Sequence, residues 1–193
     1  MSWKAPQRVD SYHRDRLRQE FRADLHRLLA ALPSRFHPAI QTCLDAMDQI
    51  FSLLPMVLLH RDFDACDIMV DDSCHLTGVV GWATAEASLF GMNLHAFQFI
   101  MGELRSNGWN MHPDRDNLCA VFWKALAEEV GGVTEDIIHA MKTARIMGLL
   151  LSYGFTSRLA NHPARVPIGD DERGRYNMLS LDGFLINPAT RFD

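Results

Sequence analysis

Long apolar runs are absent from this chain: nothing approaches the ~20 consecutive residues that a membrane-spanning helix needs, and the amino-terminal Met1-Ser2-Trp3-Lys4-Ala5-Pro6 has no signal-peptide core. A cytoplasmic location is therefore expected, with no membrane partner. Lysine is scarce, with Lys4, Lys124 and Lys142 the only three, and the formal net charge is -5. No basic field exists to attract a phosphate backbone, which argues against a nucleic-acid partner. The arginines between Arg14 and Arg27 alternate with Asp15, Glu20 and Asp24 and read as a solvated helix face. Cys43, Cys66, Cys74 and Cys119 form no Cys-x-x-Cys pair or other zinc spacing, so reduced thiols are expected and no metal site. Neither a Gly-x-Gly-x-x-Gly nor a Walker-type loop occurs, and no lysine falls in a strand pattern, so no nucleotide cofactor is expected.

What is present suits a single domain over residues 1–193, mostly α with a little β. At 193 residues and 48% hydrophobic the chain can bury a full core. Leu17, Phe21, Leu25, Leu28, Leu29 and Leu32 recur at helical spacing after a cap at Asp10-Ser11, and Pro33 ends this N-terminal helical segment, residues 1–32. A second helix is predicted from about His37 to Leu53, then a strand from Met56 to Leu59. Ile68 to Val70 and His75 to Val80 should pair as a hairpin around the turn-forming Asp71-Asp72-Ser73-Cys74. Asn93 can cap a helix carrying Leu94, Phe97, Met101 and Leu104. Leu118, Val121, Phe122 and Ala125 define another, closed by Gly131-Gly132. Thr134 with Glu135 and Asp136 starts a further helix that turns apolar on every side from Ile146 to Leu151, which predicts a central position. Residues 161–175 read as a mobile loop, followed by a short closing helix near Tyr176 to Ile186.

The most informative stretch is Leu58-Leu59-His60-Arg61-Asp62-Phe63-Asp64-Ala65-Cys66-Asp67-Ile68-Met69-Val70. In kinase catalytic loops an aspartate two residues after a histidine takes the substrate hydroxyl proton, and an asparagine five residues further on holds magnesium. Here the aspartate is Asp62 and the last position is Asp67. With Leu76-Thr77-Gly78-Val79-Val80-Gly81-Trp82-Ala83, Leu89-Phe90-Gly91-Met92-Asn93-Leu94 and Ala144-Arg145-Ile146-Met147-Gly148-Leu149-Leu150-Leu151, the chain resembles the C-terminal lobe of the aminoglycoside phosphotransferase / choline kinase-like family, particularly its fungal branch. The resemblance covers most of the chain. It implies an α+β, kinase-like C-lobe in which a small hairpin carries the catalytic loop and the N-terminal β-lobe is absent.

The family places a metal-ligating aspartate before the tryptophan, where this chain has Gly81. One ligand is thus changed and the other lost, and bridging metals would be poorly held. The remaining Asp62, Asp64 and Asp67 crowd one loop, and their like charges are expected to raise at least one pKa. The leading expectation is a pseudokinase-like enzyme that needs no nucleotide and performs acid/base cyclisation, dehydration, epimerisation or isomerisation of a small organic molecule. The fungal resemblance suggests natural-product biosynthesis as its setting.

Asp62 is the candidate general acid or base, with Asp67 or Glu86 as its partner. His60 reads first as a loop brace bonded to backbone and second as a proton carrier. Asp64, Arg61, Trp82, Phe97, Trp109 and Phe155 are the candidate substrate contacts, although Arg61 also suits a structural ion pair and the aromatics suit a core. Two alternatives stand beside this reading. One is an ATP-dependent small-molecule phosphotransferase whose nucleotide-binding parts come from elsewhere. The other is a non-catalytic binding module, marked by an exposed apolar face where the N-lobe is missing. A homodimer through that face is a secondary expectation.

Overall fold

In the computed structural model, residues 2–61, 63–105, 108–156 and 165–192 are described. The first helix, α1 (Ser11–Ala31), begins where the Asp10 carboxylate accepts the His13 N–H at 2.7 Å, and it ends just before Pro33. Its charged face is neutralised locally: Arg16 pairs with Glu20, Arg18 with Asp15 and Arg27 with Asp24. Each such exposed pair contributes only ~0.3–0.5 kcal/mol. The opposite face buries Leu17, Leu25 and Leu28.

The helix expected from His37 to Leu53 is two helices, α2 (His37–Asp45) and α3 (Met47–Leu53), separated by Ala46. The buried stripe Ile40, Cys43, Met47 and Ile50 continues across the break, so the pair behaves as one bent helix. At its end, Arg14 donates to the carbonyls of Phe51 and Leu54, placing a cation on the negative end of α3.

Among the described residues, six short strands pair antiparallel in three separate pairs: β1 (Met56–Leu59), β2 (Ile68–Val70), β3 (Leu76–Val79), β4 (Glu86–Leu89), β5 (Gly102–Arg105) and β6 (Gly108–Met111). β1 pairs with β4, from Met56 opposite Leu89 to Leu59 opposite Glu86. The β2–β3 hairpin is inserted between these two, around a turn in which Asp71 accepts the N–H groups of Ser73 and His75. β5 and β6 form a hairpin that the apolar spacing does not predict. Leu104 lies on β5 opposite Trp109, and the helix after Asn93 shrinks to α4 (Ala96–Ile100).

α5 (Arg115–Val130) and α6 (Glu135–Tyr153) complete the helical body, the latter capped by Thr134 Oγ1 accepting the Ile137 N–H. α6 is the central element, burying Ala140, Met141, Ala144, Met147, Leu149, Leu150 and Leu151. α7 (Arg175–Leu181) continues into a π-helical turn, Asp182–Ile186. Of the segment 161–175, residues 161–164 lie outside the described residues. The remainder is tied to the end of α6 by Thr156 N–H to Val166 O and Ile168 N–H to Gly154 O. The result is a mostly helical α+β fold around one hydrophobic cluster. No helix of the described residues is long and apolar enough to cross a membrane.

One close approach locks the β4–α4 turn onto α6. The Met92 carbonyl sits so near Gly148 that a Cβ there would come within 1.7 Å of its oxygen. Only glycine permits that contact, which also explains why the all-apolar stretch of α6 contains one. The same carbonyl accepts the Nδ1–H of His95 at 2.9 Å. His95 is buried, and desolvation lowers its pKa from 6.5 to about 4, with the Met92 bond opposing and the Arg145 charge adding to the shift.

Above pH 6.5 neither folded nor unfolded chain protonates His95, and its contribution is neutral. As the pH falls from 6.5 towards 4, the unfolded state takes up a proton that the folded state refuses, and stability drops. The full loss is on the order of 3 kcal/mol and levels off below pH 4. In urea unfolding, the stability gap between the native chain and His95→Asn should therefore narrow by that order between pH 7 and pH 4. A gap that stays constant contradicts this assignment.

Candidate functional site

The loop after β1 is closed by a side chain reaching across the hairpin. His60, 4% exposed, donates from Nε2 to the Val80 carbonyl at 2.7 Å, and because the acceptor is a carbonyl that nitrogen must carry the hydrogen. Its Nδ1 is buried and has no hydrogen-bond partner among the described residues. Phe63 and Trp82 stand edge-on to the ring at 5.5 and 5.0 Å. His60 thus braces the loop against the strand return, and Nε2 is already committed as a donor.

Asp64 and Asp67 form a reciprocal cap on a single 3-10 turn, Ala65–Asp67. Asp64 Oδ1 accepts the Cys66 N–H at 2.6 Å, and Asp67 Oδ2 accepts the Asp64 N–H at 3.0 Å. The Asp67 main chain joins the same closure, since its carbonyl accepts the Val80 N–H at 2.9 Å. Asp67 Oδ2 lies 3.9 Å from His60 Nε2.

Gly81 completes the arrangement with φ +83, a left-handed conformation. A Cβ at this position would come within 2.4 Å of Asp67 Oδ1 and 3.0 Å of His60 Nε2. A non-glycine residue here costs ~1–2 kcal/mol for the backbone alone, before that overlap is relieved. Glycine is therefore the residue that this backbone conformation favours at position 81.

Glu86 enters because β4 sets it opposite Leu59, next to the loop, and Arg61 pairs with it at 3.6 Å. Both side chains are close to half exposed, so the pair adds little stability. Trp82 is 46% exposed, with its Nε1–H bonded to the Val79 carbonyl. Asp62, the expected acid or base, lies outside the described residues.

The structure brings His60, Arg61, Asp64, Asp67, Gly81, Trp82 and Glu86 together. It does not bring the more distant aromatics to them. Phe97 stacks on Phe122 at 4.5 Å, and Trp109 packs against Phe99 and Phe184. Phe155 is core, 1% exposed, covered by the guanidinium groups of Arg27 and Arg165. Among the described residues none of the three makes a ring contact with His60, Phe63 or Trp82. Sequence reasoning missed Tyr176 at the start of α7. Its phenol is pushed up, chiefly by burial and also by the charge of Asp64. No group of three or more metal-ligating side chains is found among the described residues.

No family model, curated protein or solved structure matches this chain.

The negative charge of Asp64 also acts on its neighbour Cys66, whose thiol is pushed up by that charge and by a hydrogen bond to the same carboxylate. Less thiolate at neutral pH means slower alkylation. Replacing Asp64 by Asn should speed iodoacetamide labelling of Cys66 relative to the exposed Cys74, followed by peptide mass spectrometry. Equal relative rates in both proteins contradict that coupling.

Proposed function

We propose that the chain is a kinase-like acceptor lobe that works without nucleotide, binding a small organic molecule on the rim of the His60 loop and carrying out acid/base chemistry there. The supporting observation is the packing of Gly81 against Asp67. At the position that would carry a second metal carboxylate, a side chain would be strained at φ +83 and would have to displace the Asp67 carboxylate and crowd the His60 ring, and one oxygen of Asp67 is engaged by backbone. A phosphotransfer site needs its cations held between such ligands to neutralise the transferred group. Phosphotransfer with nucleotide-binding parts from another chain is accordingly the weaker alternative.

With His60, Asp64 and Asp67 used to hold the loop, the groups left for substrate are Asp62, by its place in the sequence, and the exposed Arg61–Glu86 pair. Trp82 offers an aromatic platform beside them. Asp62 is the proposed acid or base, and Glu86, tempered by Arg61, its partner. A hydroxylated or carbonyl-bearing substrate stacked on Trp82 would present its polar edge to these groups.

A second reading is favoured by the exposed apolar surface. Leu58, Met69, Val70, Leu76, Val80 and Trp82 are each at least 45% exposed, and they make up six of the twelve exposed large hydrophobics among the described residues. Such a concentration suits a binding module or a paired copy of the chain as well as a substrate platform.

Thermal-shift measurements against magnesium-ATP and a panel of small organic metabolites discriminate the readings. Stabilisation by metabolites alone, lost in Trp82→Ala, is expected, and turnover of the stabilising compound should fall at least 100-fold in Asp62→Asn with the fold intact. Stabilisation by magnesium-ATP contradicts the proposal. A metabolite shift with full turnover in Asp62→Asn removes Asp62 from the chemistry, and a dimer by sedimentation with no metabolite shift favours the second reading.

A further inference from the structure

The charge of this chain is unevenly spread. Residues 61–86 hold six acids, Asp62, Asp64, Asp67, Asp71, Asp72 and Glu86, against one arginine, Arg61. The whole formal charge of -5 is therefore concentrated there, and the rest of the sequence is balanced. None of the described residues in this stretch is buried, although it includes the entire β2–β3 hairpin. Met69, Val70 and Leu76 are each at least 50% exposed. A two-stranded ribbon with neither face covered is marginally stable in water and gains from a third strand or an apolar cover. We propose that this hairpin is a docking surface for an extended cationic segment of another protein, one in which apolar and basic side chains alternate.

The backbone and the side chains of the hairpin both suit a strand. Among the described residues β2 pairs only with β3, which leaves each of them an outer edge of N–H and C=O groups for a further strand. Val70 stands opposite Leu76 across the ladder, and Met69 stands opposite Gly78. A Cβ at Gly78 would meet nothing within 4 Å, so the space beside Met69 is an open notch for an incoming aliphatic side chain. Pairing along an edge supplies affinity, and the alternate side chains supply specificity.

Charge selects the occupant. A two-fold contact with a second copy would set two acidic stretches face to face, and like charges opposed across an interface disfavour it. Nucleic acid and anionic lipid are repelled by the same field. Basic side chains on an apolar strand instead meet exposed carboxylates at both ends of the hairpin, Asp71 and Asp72 at its tip and Asp64 at its base. The proposal rests on the binding-module reading above and names its partner. The acid/base reading is tested separately, by metabolite turnover.

Binding is measured on the full chain by fluorescence anisotropy with a labelled octapeptide of alternating lysine and valine, beside lysine/serine and glutamate/valine octapeptides. Two aliphatic side chains covered on docking are worth about ten-fold or more in affinity. The lysine/valine peptide should bind more tightly than either control by at least that factor, weaken as sodium chloride rises, and slow hydrogen exchange at amides of β2 or β3. Val70→Thr/Leu76→Thr keeps the charge and places β-branched residues in both strands. It should hold the unfolding midpoint of the free chain and lose affinity by the same factor. Gly78→Thr, which fills the notch, should do likewise and decides the matter if the double variant is destabilised. Absent lysine/valine binding, equal binding of lysine/serine, undiminished binding by the variants, or protection outside the hairpin overturns the proposal. A concentration-dependent dimer in sedimentation velocity that the double variant abolishes also overturns it, and leaves the binding-module reading standing with a second copy as the occupant.

Discussion

The 2.7 Å bond from the His60 ring to the Val80 carbonyl closes a twenty-residue excursion of the chain, and the loop groups are positioned relative to that closure. The β1–β4 ladder brings the two ends of the excursion side by side, and the imidazole joins them above it. Once Val80 is held, Gly81 must turn back in a left-handed conformation against the Asp67 carboxylate. Asp67 in turn caps the turn that begins at Asp64. Each group is used to fix the next, so Asp64 and Asp67 serve first as a local framework.

Much of the fold is legible in the sequence because its signals are local. Asp10 and Thr134 act as helix caps, Pro33 follows the end of α1, and the Asp71-Asp72-Ser73-Cys74 turn joins two strands, all from short-range chemistry. The failures come where two local signals compete or where the partner is remote. The spacing of Leu94, Phe97, Met101 and Leu104 is helical, yet Leu104 lies in a strand paired with Trp109. The pairing of β1 with β4 depends on residues some thirty positions apart and leaves no local trace. The break at Ala46 is invisible because the buried stripe runs straight across it.

The site is legible to a lesser degree. Residues from 60 to 86 are gathered because they are near in sequence and the ladder folds them together. Phe97, Trp109 and Phe155 were expected as walls from their size alone, and large aromatics serve equally well as core, which is where Phe155 lies. The role of Asp64 and Asp67 could not be separated from catalysis by residue type, since a capping carboxylate and a reacting one look alike until their N–H partners are known. Gly81 is the instructive position. In the resemblance it reads as a missing ligand, whereas in the fold it takes a left-handed conformation in which a Cβ would crowd the Asp67 carboxylate and the His60 ring.

In the proposed reading, the Asp64 and Asp67 carboxylates are engaged in holding the loop's own shape and are not available to clamp a metal-bound triphosphate. Electron paramagnetic resonance of Mn(II), titrated with ATP into the full chain, tests this most directly. The free manganese–nucleotide signal should be unaffected by stoichiometric protein. A saturable loss of that signal at one manganese–nucleotide complex per chain would contradict it.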